Sequence, residues 1–438
     1  MKVVADSPSR IVITGMGLIS PIGNSPQSVW DSLMNQRSGV GPLESLPTEH
    51  LPTKVGGEAR EFKGQIDDFG PMEKKMARTI KKGLKVMCRE IEMGVAVSQL
   101  ALAASGFVKD EHDPDRVGVV YGSDYILTLP GEFSVGIQKC LNEQGRFDFT
   151  RWADNGLPGV QPLWLLKYLP NMPASHIAIY NDLRGPNNSI TIREASSNLA
   201  IGEAVTTIQR GWADQILAGA TGTRVHQLRT LHVVLQEQIA PGESDAGKTC
   251  RPFDLHRTGE VLGEGAAAMM LESLEFAEKR GAEIFGEVVG HASSAAIDRQ
   301  GVANYRQAFK NVMTNALKSA GMQPSEIGHD HAHGLATSRC DREEAVAIHE
   351  IFNESETPVV AAKSFTGNLG AASGLVEAMS SLLAIRENQL FGTLNYETPD
   401  PDCPIRISRE CGNPGDSVLN LSITPQGQAS AVIIRRFS

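Results

Sequence analysis

Three histidines alternate along the chain at His329, His331 and His333. Residues two apart on a β-strand point to the same face, so these imidazoles would lie together, as the ligands of a metal ion do. The intervening Asp330 would point to the opposite face. We therefore regard a metal site as the weaker interpretation.

Basic residues recur between positions 74 and 89 at spacings that place most of them on one side of a helix. They are Lys74, Lys75, Arg78, Lys81, Lys82, Lys85 and Arg89. Because the whole chain carries a formal charge of −10, this face would act as a local attractor for an acidic partner. Glu73, Glu90 and Glu92 reduce the charge of the same stretch, so an ordinary solvated helix face remains an equal alternative.

The cysteines do not indicate a disulfide framework or a redox pair. Their positions are Cys88, Cys140, Cys250, Cys340, Cys403 and Cys411, with no C-x-x-C spacing among them. No glycine-rich phosphate loop is present, and Gly263-Glu264-Gly265 is too short to count as a dinucleotide motif. The sequence predicts no cofactor. The acidic charge, without a zinc-finger or RNA-binding signature, predicts no nucleic-acid partner.

The composition is typical of a globular protein with a sizeable core. Apolar residues make up 41% of the 438 residues and charged residues 21%. No apolar run reaches the ~18 residues that a membrane span requires. Residues 1–7 lack the apolar core of a secretion signal, and the strand-like segment 10–14 follows closely. We expect no membrane span and a cytoplasmic location.

Short β-branched segments alternate with amphipathic ones, as in a sheet covered by helices on both faces. The predicted strands are 10–14, 116–121, 189–193, 214–219, 266–271, 284–290, 358–362 and 430–435. The predicted helices are 25–36, 74–105, 197–210, 273–280, 303–320, 341–353 and 371–387. Ser273 and Gly281 are suited to cap helix 273–280. Segment 125–172 lacks clean periodicity, and we interpret it as a surface excursion or cap.

Two of these helices are apolar nearly all round. Residues 195–208 and 371–385 are rich in Ala, Leu and Ile, and such helices belong in a core. Each follows a strand and a short loop, once in each half of the chain. This repetition indicates two related halves, each with one buried helix.

Four segments carry a family resemblance in their order and separation. They are Arg10-Ile-Val-Ile-Thr-Gly-Met-Gly-Leu-Ile-Ser-Pro-Ile-Gly23 with Trp30 and Ser38-Gly39; Leu183-Arg-Gly-Pro186 with strand 189–193 and Ala218-Gly-Ala220; Arg251-Pro-Phe-Asp254 with Gly259 and Val261-Leu-Gly-Glu-Gly-Ala266; and His333-Gly334 with Lys363-Ser-Phe-Thr-Gly367 and Gly370-Ala-Ala-Ser-Gly374. Together they resemble the β-ketoacyl-acyl carrier protein synthases, condensing enzymes of the synthase II type in the thiolase superfamily.

The resemblance spans essentially the whole chain, and it implies an α/β fold. That fold is the thiolase-like five-layered αβαβα sandwich with two duplicated halves, which we place at residues 1–255 and 256–438. The resemblance further implies a dimer formed through the strand before Glu194. The second subunit would be an identical chain or a cysteine-bearing paralogue.

Members of that family hold a nucleophilic cysteine at the head of a buried helix, where backbone N–H groups and the helix dipole lower its pKa. Two further residues, usually histidines, decarboxylate a malonyl unit and stabilise the enolate, and a lysine supports them. Alignment on Ile201-Gly202 puts Glu194 at the place of the cysteine. The other motifs put His333 and Asn368 at the remaining two places, with Lys363 beside them. The resemblance thus implies a Glu-His-Asn site.

The segment before the last strand departs from the family pattern. Where the family carries a Gly-Phe-Gly-Gly gate loop that donates a backbone N–H to the oxyanion, this chain has Thr424 and Pro425. Proline has no N–H and restricts φ, so the segment cannot adopt the conformation of a glycine-rich loop. We expect an altered gate and an altered oxyanion site.

Glu194 would be a poor acyl nucleophile, because a carboxylate at a helix N-terminus is favoured as the anion. It would act as a general base, fill the space of an acyl-cysteine, or cap the helix without reactivity. Two functions therefore stay open. One is a non-condensing partner subunit similar to a chain-length factor. The other is an enzyme of altered chemistry, either a malonyl-carrier decarboxylase or a Glu-based condensing or hydrolytic variant.

The expected partners are the same for both functions. They are acyl carrier protein and its acyl or malonyl thioesters, and we place the docking surface at Lys74, Lys75 and Arg78.

Overall fold

The computed structural model describes residues 9–352 and 357–438. The strands are β1 Ile11–Ile19, β2 Val40–Pro42, β3 Val55–Gly57, β4 Val117–Gly122, β5 Asn187–Ile190, β6 Gln215–Thr223, β7 Leu262–Ser273, β8 Gly286–Ala295, β9 His329–His331, β10 Val359–Val360, β11 Ser417–Ile423 and β12 Gln428–Arg435. The helices are α1 Pro26–Met34, α2 Lys74–Gly83, α3 Arg89–Ala104, α4 Gly131–Lys139, α5 Met172–Asn181, α6 Ser196–Gln209, α7 Gln227–Gln236, α8 Leu274–Arg280, α9 Tyr305–Ala320, α10 Ser338–Phe352, α11 Lys363–Thr366 and α12 Ser373–Arg386.

The main sheet consists of two sets of five strands with the same topology. Strands β5, β4, β6, β7 and β1 lie side by side in that order, and strands β10, β9, β11, β12 and β8 do likewise. Numbered along the chain, each set has the order 3-2-4-5-1. In each set the fifth strand runs antiparallel to both of its neighbours. The predicted duplication is confirmed by this repeated topology.

The layers follow from what each helix packs against. Helix α3 packs on β1, β6 and β7, and α9 packs on β8 and β12 with α10 beside it. Helices α6 and α12 contact strands of both sets and each other, so they form a middle layer. The five-layered αβαβα arrangement predicted from the sequence is confirmed.

The middle layer is closely packed, and a pair of buried amides links it to β11. All residues from Ser373 to Ile385 of α12 are buried. A Cβ added to Gly374 would come 3.0 Å from the Cβ of Ser197 on α6, which explains the small residue at that crossing. Asn198 Oδ1 accepts a 2.9 Å hydrogen bond from Asn420 Nδ2, tying α6 to β11.

Several predicted elements have different bounds in the structure. The predicted helix 74–105 is wrong as a single element, since α2 ends at Gly83, a 3₁₀ turn covers Leu84–Val86, and α3 begins at Arg89. The strand predicted at 189–193 is β5, at Asn187–Ile190. The prediction also omitted β2, β3, β9, β11, α4, α5, α7 and α11. As predicted, Ser273 caps α8, and Gly281 ends it with a positive φ of 68°.

The division at residues 255 and 256 stays a prediction. Strand β7 follows that division and completes the first set by pairing with β1 and β6, whereas the second set begins with β8. Within the residues that the structure describes, no helix is long and apolar enough to span a bilayer.

Candidate active site

Glu194 lies in a tight turn between β5 and the buried helix α6. Arg193 adopts the left-handed region with φ of 45°, and Glu194 follows it in a single 3₁₀ turn. Ser196 fixes the turn, because its Oγ accepts from Ile192 N at 2.8 Å and donates to Ser123 O at 3.1 Å. A left-handed conformation is costly for arginine, so the surrounding contacts hold this turn in place.

The Glu194 carboxylate is hydrogen-bonded through Oε1, whereas no hydrogen bond reaches Oε2 within the described residues. Its Oε1 accepts hydrogen bonds from Arg224 Nη2 and, at 3.3 Å, from Asn368 Nδ2. Arg193 Nε lies 3.4 Å from Oε2, and only 2% of the Glu194 side chain is exposed. Because a buried carboxylate is costly unless it is paired, the two guanidinium groups are what make its burial tolerable.

Arg224 is the centre of a buried group that we call the carboxylate cluster, comprising Glu194, Glu237, Glu260, Arg193 and Arg224. The Arg224 side chain is fully buried, and its Nη1 donates to Glu237 Oε2 at 3.2 Å and to Glu260 Oε1 at 3.1 Å. Arg193 contributes a second hydrogen bond to Glu237. The head of α6 is therefore filled by ion pairs.

The carboxylates of the cluster differ in their affinity for protons. Burial raises the pKa of Glu260 to about 7, with the charge of Arg224 opposing the rise. Burial also acts to raise the pKa of Glu237, but the charges of Arg224 and Arg193 outweigh it and lower that pKa to about 2. Glu237 is thus the firmly ionised partner of Arg224, and Glu260 takes up a proton close to neutral pH.

The side-chain amide of Asn368 uses both its donors and its acceptor oxygen in hydrogen bonds within the protein. Its Nδ2 donates to Glu194 Oε1 at 3.3 Å and to Glu260 Oε2 at 2.7 Å. Its Oδ1 accepts from Gly370 N at 3.0 Å and from Ser373 Oγ at 3.2 Å. An amide group has two N–H donors, so both are used inside the protein.

Lys363 lies next to His333 and hydrogen-bonds to it. Its Nζ donates to His333 O at 2.7 Å and to Glu377 Oε1 at 2.5 Å, and lies 3.3 Å from His333 Nδ1. An ammonium group can only donate, so the neutral imidazole carries its proton on Nε2. Burial and the charges of Lys363 and Arg224 lower the pKa of His333 well below its usual value. His333 is therefore neutral at physiological pH.

The turn that carries His333 is fixed by a second carboxylate. Gly334 has φ of 50°, in the left-handed region. Glu344 on α10 accepts from His333 N at 2.6 Å and from Gly334 N at 2.9 Å. The His-Gly pair recognised in the sequence is thus a backbone turn clamped by Glu344.

The three alternating histidines have separate partners. His329 Nδ1 is hydrogen-bonded to Pro414 O at 2.8 Å, and His331 Nδ1 to Ser381 Oγ at 2.7 Å. Between residues 9 and 352 and between 357 and 438, no group of His, Cys, Asp or Glu side chains could hold a metal ion.

Thr424 and Pro425 form a tight turn between β11 and β12. Gly427 N donates to Thr424 O at 2.9 Å, and Tyr305 Oη donates to Pro425 O at 3.0 Å. This turn and His333 line a small cavity of about 170 Å³. Among the residues placed by the structure, Glu194, Lys363 and Asn368 do not line it.

The predicted docking residues lie apart from this site. Lys74, Lys75 and Arg78 are exposed on α2, and none of them forms an ion pair within the described part of the chain. Since α3 is a separate helix, Glu90 and Glu92 do not lie on the basic face of α2. The positive charge of that face is therefore less diluted than the sequence indicated.

Comparisons with known proteins agree with the architecture. Residues 8–277 match the model of the β-ketoacyl synthase N-terminal domain, and residues 285–397 match that of the C-terminal domain. The chain belongs to the β-ketoacyl synthase family. Among its relatives is 3-oxoacyl-[acyl-carrier-protein] synthase 2 of Synechocystis sp., 32% identical over 400 residues that cover 90% of each chain. The same enzyme of Staphylococcus aureus strain COL is 30% identical over 401 residues, 91% of each chain.

Solved structures agree as well. A β-ketoacyl synthase from Burkholderia phymatum is 27% identical, with a TM-score of 0.83 over 98% of this chain and 100% of that one. The ishigamide ketosynthase/chain length factor is 25% identical, with a TM-score of 0.83 over 99% and 100%. These neighbours support the thiolase-like assignment of this β-ketoacyl synthase homologue.

Asn368 contacts Glu194, and Lys363 contacts His333. The roles predicted for these four residues stay a prediction. The sequence-based prediction missed Arg224, Glu237 and Glu260, which decide the electrostatics of this β-ketoacyl synthase homologue. One signal was available. Glu260 stands between Gly259 and Val261 inside the highly specific third segment, where a charge is unexpected among buried neighbours.

Proposed function

We propose that this β-ketoacyl synthase homologue is a non-condensing partner subunit, similar in role to a chain-length factor, that assembles with a cysteine-bearing paralogue. The observation that carries the proposal is the carboxylate cluster at the head of α6. A condensing site needs free donors and an acyl acceptor there. In this chain ion pairs occupy the same space.

The state of Asn368 supports this proposal. In a decarboxylating site, the amide N–H groups would hold the thioester carbonyl while the enolate forms. Here both donors serve Glu194 and Glu260. A substrate would have to displace a buried carboxylate from a buried guanidinium, and uncoupling such a pair is costly.

The available space supports it too. The cavity beside His333 measures about 170 Å³, whereas ligand pockets usually measure about 300–1,000 Å³. Glu194 does not line that cavity, so an acyl thioester entering there would not reach it. We infer that Thr424 and Pro425 no longer gate a reaction chamber.

An exposed strand edge is available for the partner. Among the strands that the structure describes, β5 pairs with β4 alone and ends the first set, and its Asn187 and Asn188 are exposed. The segment after β4 exposes large apolar side chains: Val135, Phe147, Phe149, Leu157, Leu163 and Leu165. An open edge suits pairing with a second, similarly shaped subunit. Exposed large apolar side chains are of the kind that a subunit interface covers. The chain length factor in one structural neighbour gives a precedent for such a pair.

A malonyl-carrier decarboxylase is the second candidate. It is favoured by His333, which lines the small cavity and keeps a proton on Nε2 that a developing enolate oxygen would accept as a hydrogen bond. This function requires Asn368 to release Glu194 and Glu260 when substrate binds.

Two measurements test the proposal. The protein is co-expressed with a cysteine-bearing paralogue, and the mass of the assembly is determined by light scattering, with Ser189→Pro in β5 as the interface variant. We expect a heterodimer that the proline abolishes, since proline removes a ladder donor. Condensing activity of the pair should require the cysteine of the paralogue alone.

The decarboxylase alternative is tested by incubating the purified chain with malonyl-carrier protein. Carbon dioxide release without acyl loading, abolished by His333→Ala, would replace the subunit proposal with the decarboxylase. Formation of homodimers alone, without binding to the paralogue, would also refute the subunit proposal.

A further inference from the structure

A cavity of ligand size lies beside the start of α3, and Glu194 is not among the residues that line it. The cavity measures about 650 Å³, within the ~300–1,000 Å³ range of ligand pockets. We propose that this cavity, which we call the α3 cavity, binds an organic cation whose primary ammonium group pairs with Glu90 and whose apolar body packs on the walls. The inference is independent of the proposed function, because it needs neither a carrier protein nor a second subunit.

Most of the charges in the wall neutralise one another. Arg89 Nη2 lies 2.6 Å from Glu264 Oε1, and Lys167 Nζ lies 2.8 Å from Glu132 Oε1. Tyr168 Oη also donates to Glu132, at 2.9 Å. These two carboxylates have cations of their own, so neither of them needs a charge from a ligand.

The charges near the opening are balanced in number. Arg60 Nη2 lies 3.2 Å from Glu58 Oε2, and Arg60 Nε lies 3.6 Å from Glu44 Oε1. The backbone N of Ser45 also donates to Glu58, at 2.9 Å. Glu44 and Lys63 are exposed and mark the opening of the cavity. Two carboxylates thus accompany two basic residues here, and this part of the wall is neutral overall.

Glu90 is the carboxyl group of the wall that lacks a cation. It is only 7% exposed, and Cys88 Sγ donates to its Oε2 at 3.3 Å. Within residues 9–352 and 357–438, no basic side chain forms an ion pair with it. Burial raises the pKa of Glu90 and outweighs the charge of Arg229, which is ion-paired with Asp124. An ionised carboxylate is costly to bury without a counter-charge, so the ammonium group of a ligand would supply what the protein itself does not.

The rest of the cavity decides which cation fits. In the part of the chain that the structure describes, no group of three or more His, Cys, Asp or Glu side chains could hold a metal ion. The apolar residues of the wall are Leu46, Phe62, Met87, Leu129 and Val225. An ammonium group donates charge-assisted hydrogen bonds to a carboxylate, and an apolar body would bury its surface against these side chains. The cavity therefore suits an amphiphilic amine rather than a metal ion.

The test compares two ligands that share one apolar body. 2-Phenylethylamine carries an ammonium group at neutral pH, and 2-phenylethanol carries an uncharged hydroxyl group. Isothermal titration calorimetry with the full-length protein measures both dissociation constants, at about 0.15 M salt to screen the attraction of distant charges. We expect the amine to bind about tenfold more tightly than the alcohol, because its hydrogen bonds to Glu90 are charge-assisted.

Two glutamates in the first turn of α3 provide the variant and its control. Glu90→Gln keeps the shape of the side chain and removes its charge, so the preference for the amine should fall to within about twofold. Glu92→Gln removes a carboxylate from the same turn but outside the cavity, so the preference should be unchanged. Because Glu90 has no cation within the described residues, we expect Glu90→Gln to fold and to melt close to the wild-type temperature.

A second pair of variants tests the position of the bound amine. Leu129 lines the cavity and is 41% exposed, so a larger side chain there narrows the cavity without overpacking the core. Leu129→Trp should weaken binding of the amine about tenfold. Leu235→Trp, on the exposed face of α7 and outside the cavity, should leave binding unchanged.

The inference is overturned if wild-type protein binds the amine and the alcohol equally, or does not bind the amine. An undiminished preference in Glu90→Gln overturns it as well. Equal loss of the preference in Glu90→Gln and Glu92→Gln would show a general attraction of cations to an acidic chain, and would also overturn it. Unchanged binding of the amine to Leu129→Trp does the same, and this outcome does not depend on how well Glu90→Gln folds.

Discussion

The Arg224 guanidinium donates a hydrogen bond to Glu194 Oε1, although neither side chain reaches solvent. The two residues are 30 positions apart and meet at the head of a buried helix. Arg224 also binds Glu237 and Glu260, so one cation serves three carboxylates. Removing any one member redistributes charge in a region that water cannot screen.

Replacing Glu194 by alanine should destabilise the protein strongly. It leaves Arg224 and Arg193 short of one buried counter-charge, and breaking a buried ion pair from one side typically costs about 3–5 kcal/mol. Urea unfolding followed by circular dichroism measures the change in the free energy of unfolding.

Two variants control this measurement. Glu194→Gln keeps the shape and an acceptor oxygen, so its loss should be smaller, about 1–3 kcal/mol. Glu203→Ala removes an exposed carboxylate from the same helix and should cost less than about 0.5 kcal/mol. Equal losses for Glu194→Ala and Glu203→Ala would show that the cluster does not stabilise the fold.

Restoring a thiol at the head of α6 should not restore acyl loading. In Glu194→Cys the cavity beside His333 still fails to reach position 194, and Asn368 still donates to Glu260. Intact-mass analysis after incubation with acyl-carrier protein should show unmodified protein. Stoichiometric loading would mean that an open chamber persists around the elbow, and would contradict the subunit proposal.

The free energy of unfolding should decrease as the pH is raised from mildly acidic to mildly alkaline, because Glu260 loses its proton. Folding raises its pKa from 4.5 to about 7, so the folded chain binds this proton more tightly than the unfolded chain does. The free energy of unfolding therefore decreases as pH rises through that interval. Glu260→Gln lacks the ionisation, so its stability relative to wild type should improve from pH 5 to pH 8 by on the order of 2 kcal/mol.

Unfolding titrations at both pH values check this expectation. Glu203→Gln, at an exposed position, should show the same offset from wild type at both. An offset for Glu260→Gln that does not change with pH would show that Glu260 stays ionised in the folded protein.

Lys363 and Glu377 should behave as a coupled pair. Lys363→Met leaves Glu377 as a buried carboxyl without its cation, at a cost of about 3–5 kcal/mol. Replacing both residues by methionine removes both charges and should recover most of the loss, which a double-mutant cycle measures. Additive losses in the cycle would contradict coupling. A second readout is His333, whose pKa should rise when the neighbouring charge is removed.

The sequence predicted the middle layer well because α6 and α12 are apolar nearly all round, and such helices belong in a core. The sequence-based prediction failed for segments that are both polar and buried. Strand β9 consists of His329, Asp330 and His331, all fully buried, and no hydropathy pattern marks a polar strand as interior. The break after Gly83 was also hidden, since basic residues continue at helical spacing through the 3₁₀ turn.

The site was predictable only in part, for a related reason. Short motifs carry His333, Lys363 and Asn368, so their proximity follows from the family pattern. Arg224, Glu237 and Glu260 meet through the tertiary fold, and Arg224 and Glu237 each have the sequence character of a surface residue. Buried ion pairs of this kind can be recognised only when the positions of both partners in the structure are known.

The shared middle layer bears on how the chain matures. Because α6 and α12 are each covered by strands of both sets, neither set can shield its own inner helix. An N-terminal half leaving the ribosome first would expose an apolar surface until β11 and β12 emerge to cover it. During synthesis the incomplete molecule is therefore prone to aggregation for a time. How much of it aggregates depends on how quickly the C-terminal half is synthesised.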